Sequence, residues 1–349
     1  MKKLIVCMMA VACGGAMRAE DKVVGGPYVV TQSARTATIG WILQTGEVKV
    51  GTTRSIPVLR AEKVSMTGLK SGEVVEYTTP NGLKGSFKVA PAAPEAFNAV
   101  VFGDTRSRHD LHRKIMEAIG KLNPDFLVHT GDLVTDGKDV EQWPRFFDIE
   151  GEVLRKTVFF PALGNHERNC RYFYDFFDVE TPYYSFDWGG AHFTVLNTDL
   201  GNVALSAKAR EEFWAEQDRW MEDDLAKAQK AEFRFLITHH PPFTAVKRRQ
   251  NDNPRVTAMT PVLEKYKVTA VFSGHDHNYQ HHVKNGIHYI VTGGGGAPLY
   301  PVDGPIEGLT VKVESTEHYV RMIGEPGKIK MEAVALDGRV LDTFEVVKK

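Results

Sequence analysis

The sequence predicts an α/β protein, an α+β sandwich, preceded by a smaller all-β unit. Three observations carry this. From Lys22 to about Ala90, short alternating segments are broken by turns at the spacing of an antiparallel sandwich. Beyond residue 98 the rhythm becomes apolar strand, polar loop, helix. Several of the later strands break off into a polar residue able to ligate a metal, at the place where open α/β sheets assemble their sites. With 349 residues, 25% of them charged, the chain is long enough to bury a full core.

Taken in order, MKKLIVCMMAVACGGAMRAED joins a lysine pair, an apolar stretch too short to cross a bilayer, and small residues, and reads as a secretory leader over residues 1–19. Cleavage after Ala19 and lipid attachment at Cys13 are the two alternatives. Ala10 stands where a lipoprotein leader usually has a larger aliphatic residue, which favours simple export to the periplasm or the extracellular space. Loss of Lys2, Lys3 and Arg18 with the leader makes a chain of formal charge −1 more acidic, so no basic nucleic-acid-binding surface is implied. Of three cysteines, Cys7 and Cys13 fall in the leader and Cys170 is left alone, which excludes an intramolecular disulfide in the mature chain. No later apolar run approaches membrane-spanning length.

Residues 22–92 contain PYVVTQ, ATIGWIL, VKVGTT, KVSMTGL, VVEYTTP and GSFKVA, the strands of the expected β-sandwich. Trp41 is expected in its core, and Tyr77 to pack or bridge across a turn. PAAPEAF, residues 91 to 97, reads as a linker. The second unit, 96–349, has strands in NAVVFGD, PDFLVHTGD, TVFFPALGN, AHFTVLNTD, FRFLITHH, VTAVFSGHD and IHYIVTGGGG. Leu111, Ile115, Ile119 and Leu122 recur at helical spacing, and a longer helix around 211–230 is expected to bury Phe213, Trp220 and Leu225. IKMEAVALDGRVLDTFEVV reads as a hairpin turning at Asp337-Gly338 that completes a sheet.

The polar strand ends are Asp104, Asp132, Asn165 with His166, His239 with His240, and the GHDH of residues 274–277. A glycine before a ligand permits a sharp exit from the strand. FSGHDHNYQHH crowds four histidines and an aspartate together, and crowding of that kind points to metal rather than to core filling. Within it, His275 and His277 alternate along an extended segment, so they can serve different metals while Asp276 points elsewhere. His281 and His282 are either solvated loop residues or contacts to a substrate phosphate.

GDT, GDL, GNHE, HHPP and GHDH, in this order over residues 98 to 300, resemble the calcineurin-type metallophosphoesterases. The preceding segment, opening GPYVV and ending GLKSGEVVEY and FKVAP, resembles the fibronectin-III-like domain ahead of the catalytic domain of purple acid phosphatases. The resemblance implies a four-layer α/β/β/α domain with a two-metal site at the sheet edge. It assigns Asp104 and His277 to the first metal, Asp132 to both, and Asn165, His239 and His275 to the second. The ions are two divalent or mixed-valence metals, iron, zinc or manganese. Phosphate monoesters are the implied substrates, small phosphoesters hydrolysed by attack of a metal-activated hydroxide. Asp132 and His166 are the implied catalytic residues, with His166 as general acid or phosphate donor, or alternatively structural, and Glu167 orienting it. Arg106, Asn165 and His166 are the implied substrate contacts, and His240 a supporting residue.

Two positions depart from the pattern. Thr135 stands where purple acid phosphatases carry the tyrosine that gives their colour, and Arg106 where related phosphoesterases carry a histidine. The first metal therefore lacks a fourth ligand, to be supplied by water or by a residue such as His109, and a divalent, colourless site is expected. Arg106 is either a bidentate phosphate clamp or a solvated surface residue. KRRQNDNPR, residues 247–255, is either a basic lid or an exposed loop. TGGGGAPLY, residues 292–300, is expected to approach the site through bare backbone, and with no GKS or GKT after it is no nucleotide-binding loop. Three functions remain open: a phosphomonoesterase, a phosphodiesterase on the same metal core, and a cell-surface binding protein that has lost activity.

Overall fold

The runs that end in the polar motifs are buried on both faces, as strands in the middle of a parallel sheet must be. The computed structural model describes residues 4–7, 21–80, 82–199, 201–203 and 206–348. A nine-stranded sheet runs in the order Val340–Val347, Lys328–Ala335, His318–Glu325, Phe97–Phe102, Phe126–His129, Val158–Pro161, Lys22–Ser33, Thr36–Val50 and Arg54–Thr67. A seven-stranded sheet runs Tyr184–Trp188, Ala191–Val195, Phe233–Ile237, Ala270–Ser273, Ile287–Thr292, Tyr279–Lys284 and Thr310–Glu314. The central strands of each are parallel, so their carboxyl ends, and the motifs that follow, open on one side.

Strand alternation sorts the apolar residues into four layers. Ala99, Val101, Phe126 and Val128 of one sheet meet Phe193, Phe235, Ile237 and Phe272 of the other in a shared core. Val100, Phe102, Leu127 and Phe159 point the other way, under the helices His109–Gly120, Gln142–Leu154 and Arg171–Phe177. Leu236, Val271 and Tyr289 face the helices Ala207–Lys227 and Thr260–Lys265. The expected α/β/β/α sandwich is thus the observed one.

The segment expected to form a free-standing sandwich over 22–92 pairs differently. Its first three strands extend the nine-stranded sheet, with Val29 opposite Val158 in parallel. Tyr28 explains the attachment: its ring stacks on Phe147 at 4.9 Å and its hydroxyl donates to the Phe176 carbonyl at 2.5 Å. Residues 74–88 form a three-stranded sheet with Leu4–Cys7, and Val75, Tyr77 and Phe87 belong to the shared core. Tyr77 packs in the core, and its hydroxyl donates to the Arg155 carbonyl of a distant segment at 2.9 Å rather than across a turn; Trp41 is buried. Apart from Leu4–Cys7, the leader expected over 1–19 lies outside the described residues.

The long helix, Ala207–Lys227, buries Trp214, Gln217, Met221 and Leu225, while Phe213 and Trp220 are only partly covered. Leu225 is buried as expected, while Trp214 and Met221 take the places expected of Phe213 and Trp220, and Gln217 between them exchanges hydrogen bonds with the Asn197 backbone. The C-terminal hairpin forms as expected, with Gly338 at φ +88° in the turn. It reaches the central strands through His318–Glu325, a strand absent from the sequence reading. Among the described residues no helix is long and apolar enough to cross a membrane.

At the end of the seven-stranded sheet away from the motifs, His192 donates from Nδ1 to Asp187 at 2.8 Å and from Nε2 to Asp224 at 2.9 Å. Asp224 lies on the long helix and also receives Ser185 and Thr194. Burial disfavours a charged ring, but the two carboxylates outweigh it and push the imidazole up to about 9. A raised folded pKa contributes stability that is complete below the unfolded value of about 6.5 and lost as pH rises through about 9, at most about 3 kcal/mol. Urea unfolding of the wild type is expected to lose up to that amount between pH 6.5 and 9.5 relative to His192→Gln; parallel pH profiles would contradict the assignment.

Candidate metal centre

Each motif begins within a few residues of a parallel strand's carboxyl end, and three of its chemical residues hold left-handed backbone: Asp104 at φ +58°, Asp132 at +59° and His275 at +68°. Such strain, of order 1 kcal/mol or more for each residue, persists only where the surroundings over-determine it. The preceding glycines matter mainly for space. A Cβ on Gly164 would lie 2.3 Å from Asp132 Oδ1, and one on Gly274 would lie 2.4 Å from Asp104 Oδ2. Only a bare backbone lets neighbouring loops close this tightly on the carboxylates.

The loops bring two sets of donors together around Asp132. In one, Asn165 Oδ1 is 3.0 Å from His239 Nε2 and 3.1 Å from His275 Nδ1, and the two ring nitrogens are 3.2 Å apart. Asp132 Oδ1 adds a fourth atom, 3.4 Å from His239 Nε2. In the other, atoms of Asp104, Asp132 and His277 lie within 4.8 Å of one another, with His277 Nε2 3.3 Å from Asp104 Oδ1. His239 donates its Nδ1 proton to the Thr130 carbonyl and His277 its own to Pro298. Each therefore presents an Nε2 lone pair to the cluster.

Lone pairs facing carboxylate and amide oxygens repel unless a cation lies between them. Asp104 Oδ1 is fully buried and has no hydrogen-bond partner, which a bound cation would satisfy. Both donor sets therefore fit metal ions. Burial works against the charge on Asp132, but where His239 takes up a proton in place of an ion, its charge, with those of His166 and Arg106, outweighs burial and holds the Asp132 carboxyl below the usual range.

Glu167 does not orient the His166 ring. Its buried carboxylate accepts the amides of Asp132 and Gly164 on Oε2, at 2.8 and 2.7 Å, and those of Leu133 and Val134 on Oε1, at 2.8 and 3.3 Å. It pins the Asp132 loop to the Asn165 loop. The His166 ring is set instead by the Thr135 carbonyl, which accepts its Nδ1 proton at 2.6 Å, leaving Nε2 3.8 Å from Asp132 Oδ2 in a partly open position. His240 is not among the donors: the Thr198 hydroxyl receives its amide and contacts its Nδ1, and burial drives its ring down to about 3.

Comparison with known proteins decides the family. The profile of the calcineurin-like phosphoesterases matches residues 97–279, more than half of the chain and every residue of the cluster. The chain belongs to the calcineurin-like phosphoesterases. It is 25% identical over 213 residues to the tartrate-resistant acid phosphatase type 5 of Mus musculus, covering 52% of this chain and 64% of that one. The chain spans less than two thirds of the length of the curated relatives it matches first. Its fold is similar to that of the purple acid phosphatase PPD1 from yellow lupin (Lupinus luteus) seeds, with a TM-score of 0.71 over 93% of this chain and 74% of that one at 18% identity. The fold is also similar to that of GAP50, described as the anchor in the inner membrane complex of Plasmodium. There the TM-score is 0.59, at 18% identity over 73% of this chain and 90% of that one.

Within this phosphoesterase fold, the departures from pattern have definite places. Thr135 is exposed, and what it gives the site is its carbonyl. Arg106 is not a solvated surface residue: its side chain is 14% exposed and its Nε lies 3.4 Å from Asp132 Oδ2. His109 stands exposed at the start of its helix, with Arg145, Asp110 and Arg113 as its charged neighbours, and does not join the donors. His281 and His282 are neither solvated nor at the site. They are buried in a strand, paired with Asp342 and His288 and with Thr310 and Gln280 respectively.

The 247–255 segment is partly turned in against the donors and partly exposed. Arg248 is exposed over the Tyr300 ring, whereas Arg249 turns inward against His275 Nε2, within 3.4 Å of Asp276 Oδ1 and donating to the Tyr300 hydroxyl at 3.2 Å. Tyr300 stacks on His277 at 4.1 Å. Sequence reasoning singled out the two segments but not Arg249 and Tyr300 within them, because a run of three basic residues and a lone tyrosine give no signal of which side chain turns inward. The glycine run backs the Asp104 loop, with the Gly295 and Ala297 amides on the Gly103 and Asp104 carbonyls, at 2.9 and 2.8 Å. Larger cavities, such as one of about 850 Å³ lined by Val74, Phe87 and Arg113, touch none of the motifs. Donor convergence, not cavity size, locates the site.

Removing Glu167 leaves four buried amides without their acceptor. Glu167→Ala is expected to cost about 3 kcal/mol or more of unfolding free energy, whereas His166→Ala, at a partly open ring, should cost about 1 kcal/mol or less. Equal effects in urea titrations would contradict the clamp.

Proposed function

We propose that this chain is an exported binuclear phosphoesterase of the purple-acid-phosphatase type, acting on phosphate monoesters. The observation that carries the proposal is the convergence of lone-pair donors on both sides of Asp132. Asp104, Asp132 and His277 would hold the first ion, and Asp132, Asn165, His239 and His275 the second. Without a phenolate in the set, divalent manganese, zinc or iron suits it. When bound, the ions neutralise charge on the phosphoryl oxygens and acidify a water.

The chain's own residues account for the rest of the chemistry. Asp132 sets the spacing of the two donor sets. With Asn165 Oδ1 turned to the donors, its Nδ2 is left to donate to a phosphate oxygen. His166, held through Nδ1 by the Thr135 carbonyl, aims Nε2 into the cleft, where the protonated ring delivers its proton to the leaving oxygen. Arg106, beside Asp132, can offer a guanidinium edge to the same phosphate. Export rests on the leader-like residues 1–19.

A second reading is a non-catalytic binding protein. It draws on Arg106 at the Asp132 carboxylate where another donor would stand, and on the likeness in fold to an anchor protein. Six donor residues retained at ligand spacing favour catalysis.

Hydrolysis of p-nitrophenyl phosphate by the mature protein is expected to vanish on chelation and return with manganese, zinc or iron. Asn165→Ala and His277→Ala should each lower it at least about 10³-fold, and unchanged turnover in both would overturn the enzyme reading. His166→Ala should lower kcat by about 10²-fold or more on an alkyl phosphate, and less on p-nitrophenyl phosphate, whose leaving group needs no proton. A faster rate on bis-p-nitrophenyl phosphate than on the monoester would transfer the assignment to a diesterase.

A further inference from the structure

We infer that the two metal positions are unequal, with the Asn165, His239 and His275 position binding tightly and the Asp104 and His277 position weakened by Arg106. The inference rests on the two-metal reading above and goes beyond it, since it says which position fills first and which residue sets the difference.

Geometry is the first argument. Ligand atoms about 2.0–2.1 Å from an ion in a tetrahedral site are about 3.4 Å apart. Asn165 Oδ1, His239 Nε2 and His275 Nδ1 already lie 3.0 to 3.2 Å from one another, so these three donors are gathered before an ion arrives, with Asp132 Oδ1 3.4 Å from His239 Nε2. The ring of His239 is fixed by its hydrogen bond to Thr130. Little ordering is left for binding to accomplish.

The other position has three protein donors, Asp104, Asp132 and His277, all within 4.8 Å of one another and with His277 Nε2 3.3 Å from Asp104 Oδ1. No fourth side chain reaches it among the described residues at the two places expected to supply one. Thr135 is exposed and offers its carbonyl to His166, and His109 is exposed at its helix start.

Charge is the second argument. Asp104 gives this position a carboxylate that the other lacks, which alone would favour it. Arg106 offsets that advantage. Its cationic guanidinium lies 3.4 Å from Asp132 Oδ2 and is steadied by a hydrogen bond from Nη1 to Ser107 Oγ at 3.2 Å. An ion bound between Asp104 and Asp132 must either share the carboxylate with this cation or displace it. Repulsion between a dication and a guanidinium a few Å away is enough for roughly a tenfold or greater loss of affinity. On the far side Arg249 faces His275, but Asp276 and Asp252 lie at 3.4 and 3.7 Å from it and balance its charge.

The test is calorimetric titration of the metal-free full chain with manganese(II), with circular dichroism to establish that each variant is folded. The wild type is expected to show two binding events at least tenfold apart. Asn165→Ala should remove the tight event, and Asp104→Ala only the weak one. Arg106→His, which exchanges the cation for a donor, should bring the weak event to within about threefold of the tight one, and Arg106→Ala should narrow the gap partway. Loss of the tight event in Asp104→Ala, or an unchanged gap in both Arg106 variants, overturns the inference while leaving the two-metal reading intact. Absence of any binding event in the folded wild type overturns that reading and the inference with it.

Discussion

The buried carboxylate of Glu167 collects four backbone amides from two different strand-end loops, and the geometry around Asp132 follows from that contact. The loop after Phe126–His129 carries Asp132, and the loop after Val158–Pro161 carries Asn165 and His166. Without a shared acceptor these four buried amides would be left unsatisfied. With it, Asp132 can hold left-handed backbone and still receive the His166 amide on Oδ1 at 3.0 Å. The parallel sheets deliver the loops to one edge, and one carboxylate fixes them against each other.

The donors come from both sheets, and this is why the sandwich matters to the chemistry. Asp104, Asp132 and Asn165 follow strands of the nine-stranded sheet, whereas His239, His275 and His277 follow strands of the seven-stranded one. The shared core that presses the sheets together, with Phe126 packed at 4.7 Å on Trp188 and 5.5 Å on Phe193, therefore also sets the distance between carboxylates and imidazoles. A defect in that core is felt at the site through packing alone.

The donors were legible in the sequence because each follows a buried apolar run, and strand ends are where backbone direction can be read from pattern. The layer order was legible for the same reason. What escaped the sequence depends on contacts between distant segments. Short alternating strands after Lys22 look alike in an isolated sandwich and at the edge of a larger sheet, and only the seat of Tyr28 on Phe147 and Phe176 separates the two. Glu167 reads as a neighbour of His166, yet its four partners are amides that no pattern reveals. His281 and His282 continue a histidine-rich stretch, but they lie within a strand and are consumed by Asp342, His288, Thr310 and Gln280. Arg106 was visible as a departure, and its place on Asp132 was not.

The central claim is that this edge holds two ions bridged by Asp132. Anomalous diffraction from crystals equilibrated with saturating manganese(II) tests it most directly. The account predicts two peaks about 3.5–4 Å apart, one among Asn165, His239 and His275 and the other between Asp104 and His277, with Asp132 between them. No peak at this edge, or a single ion with Arg106 still seated on Asp132 at saturation, would contradict it.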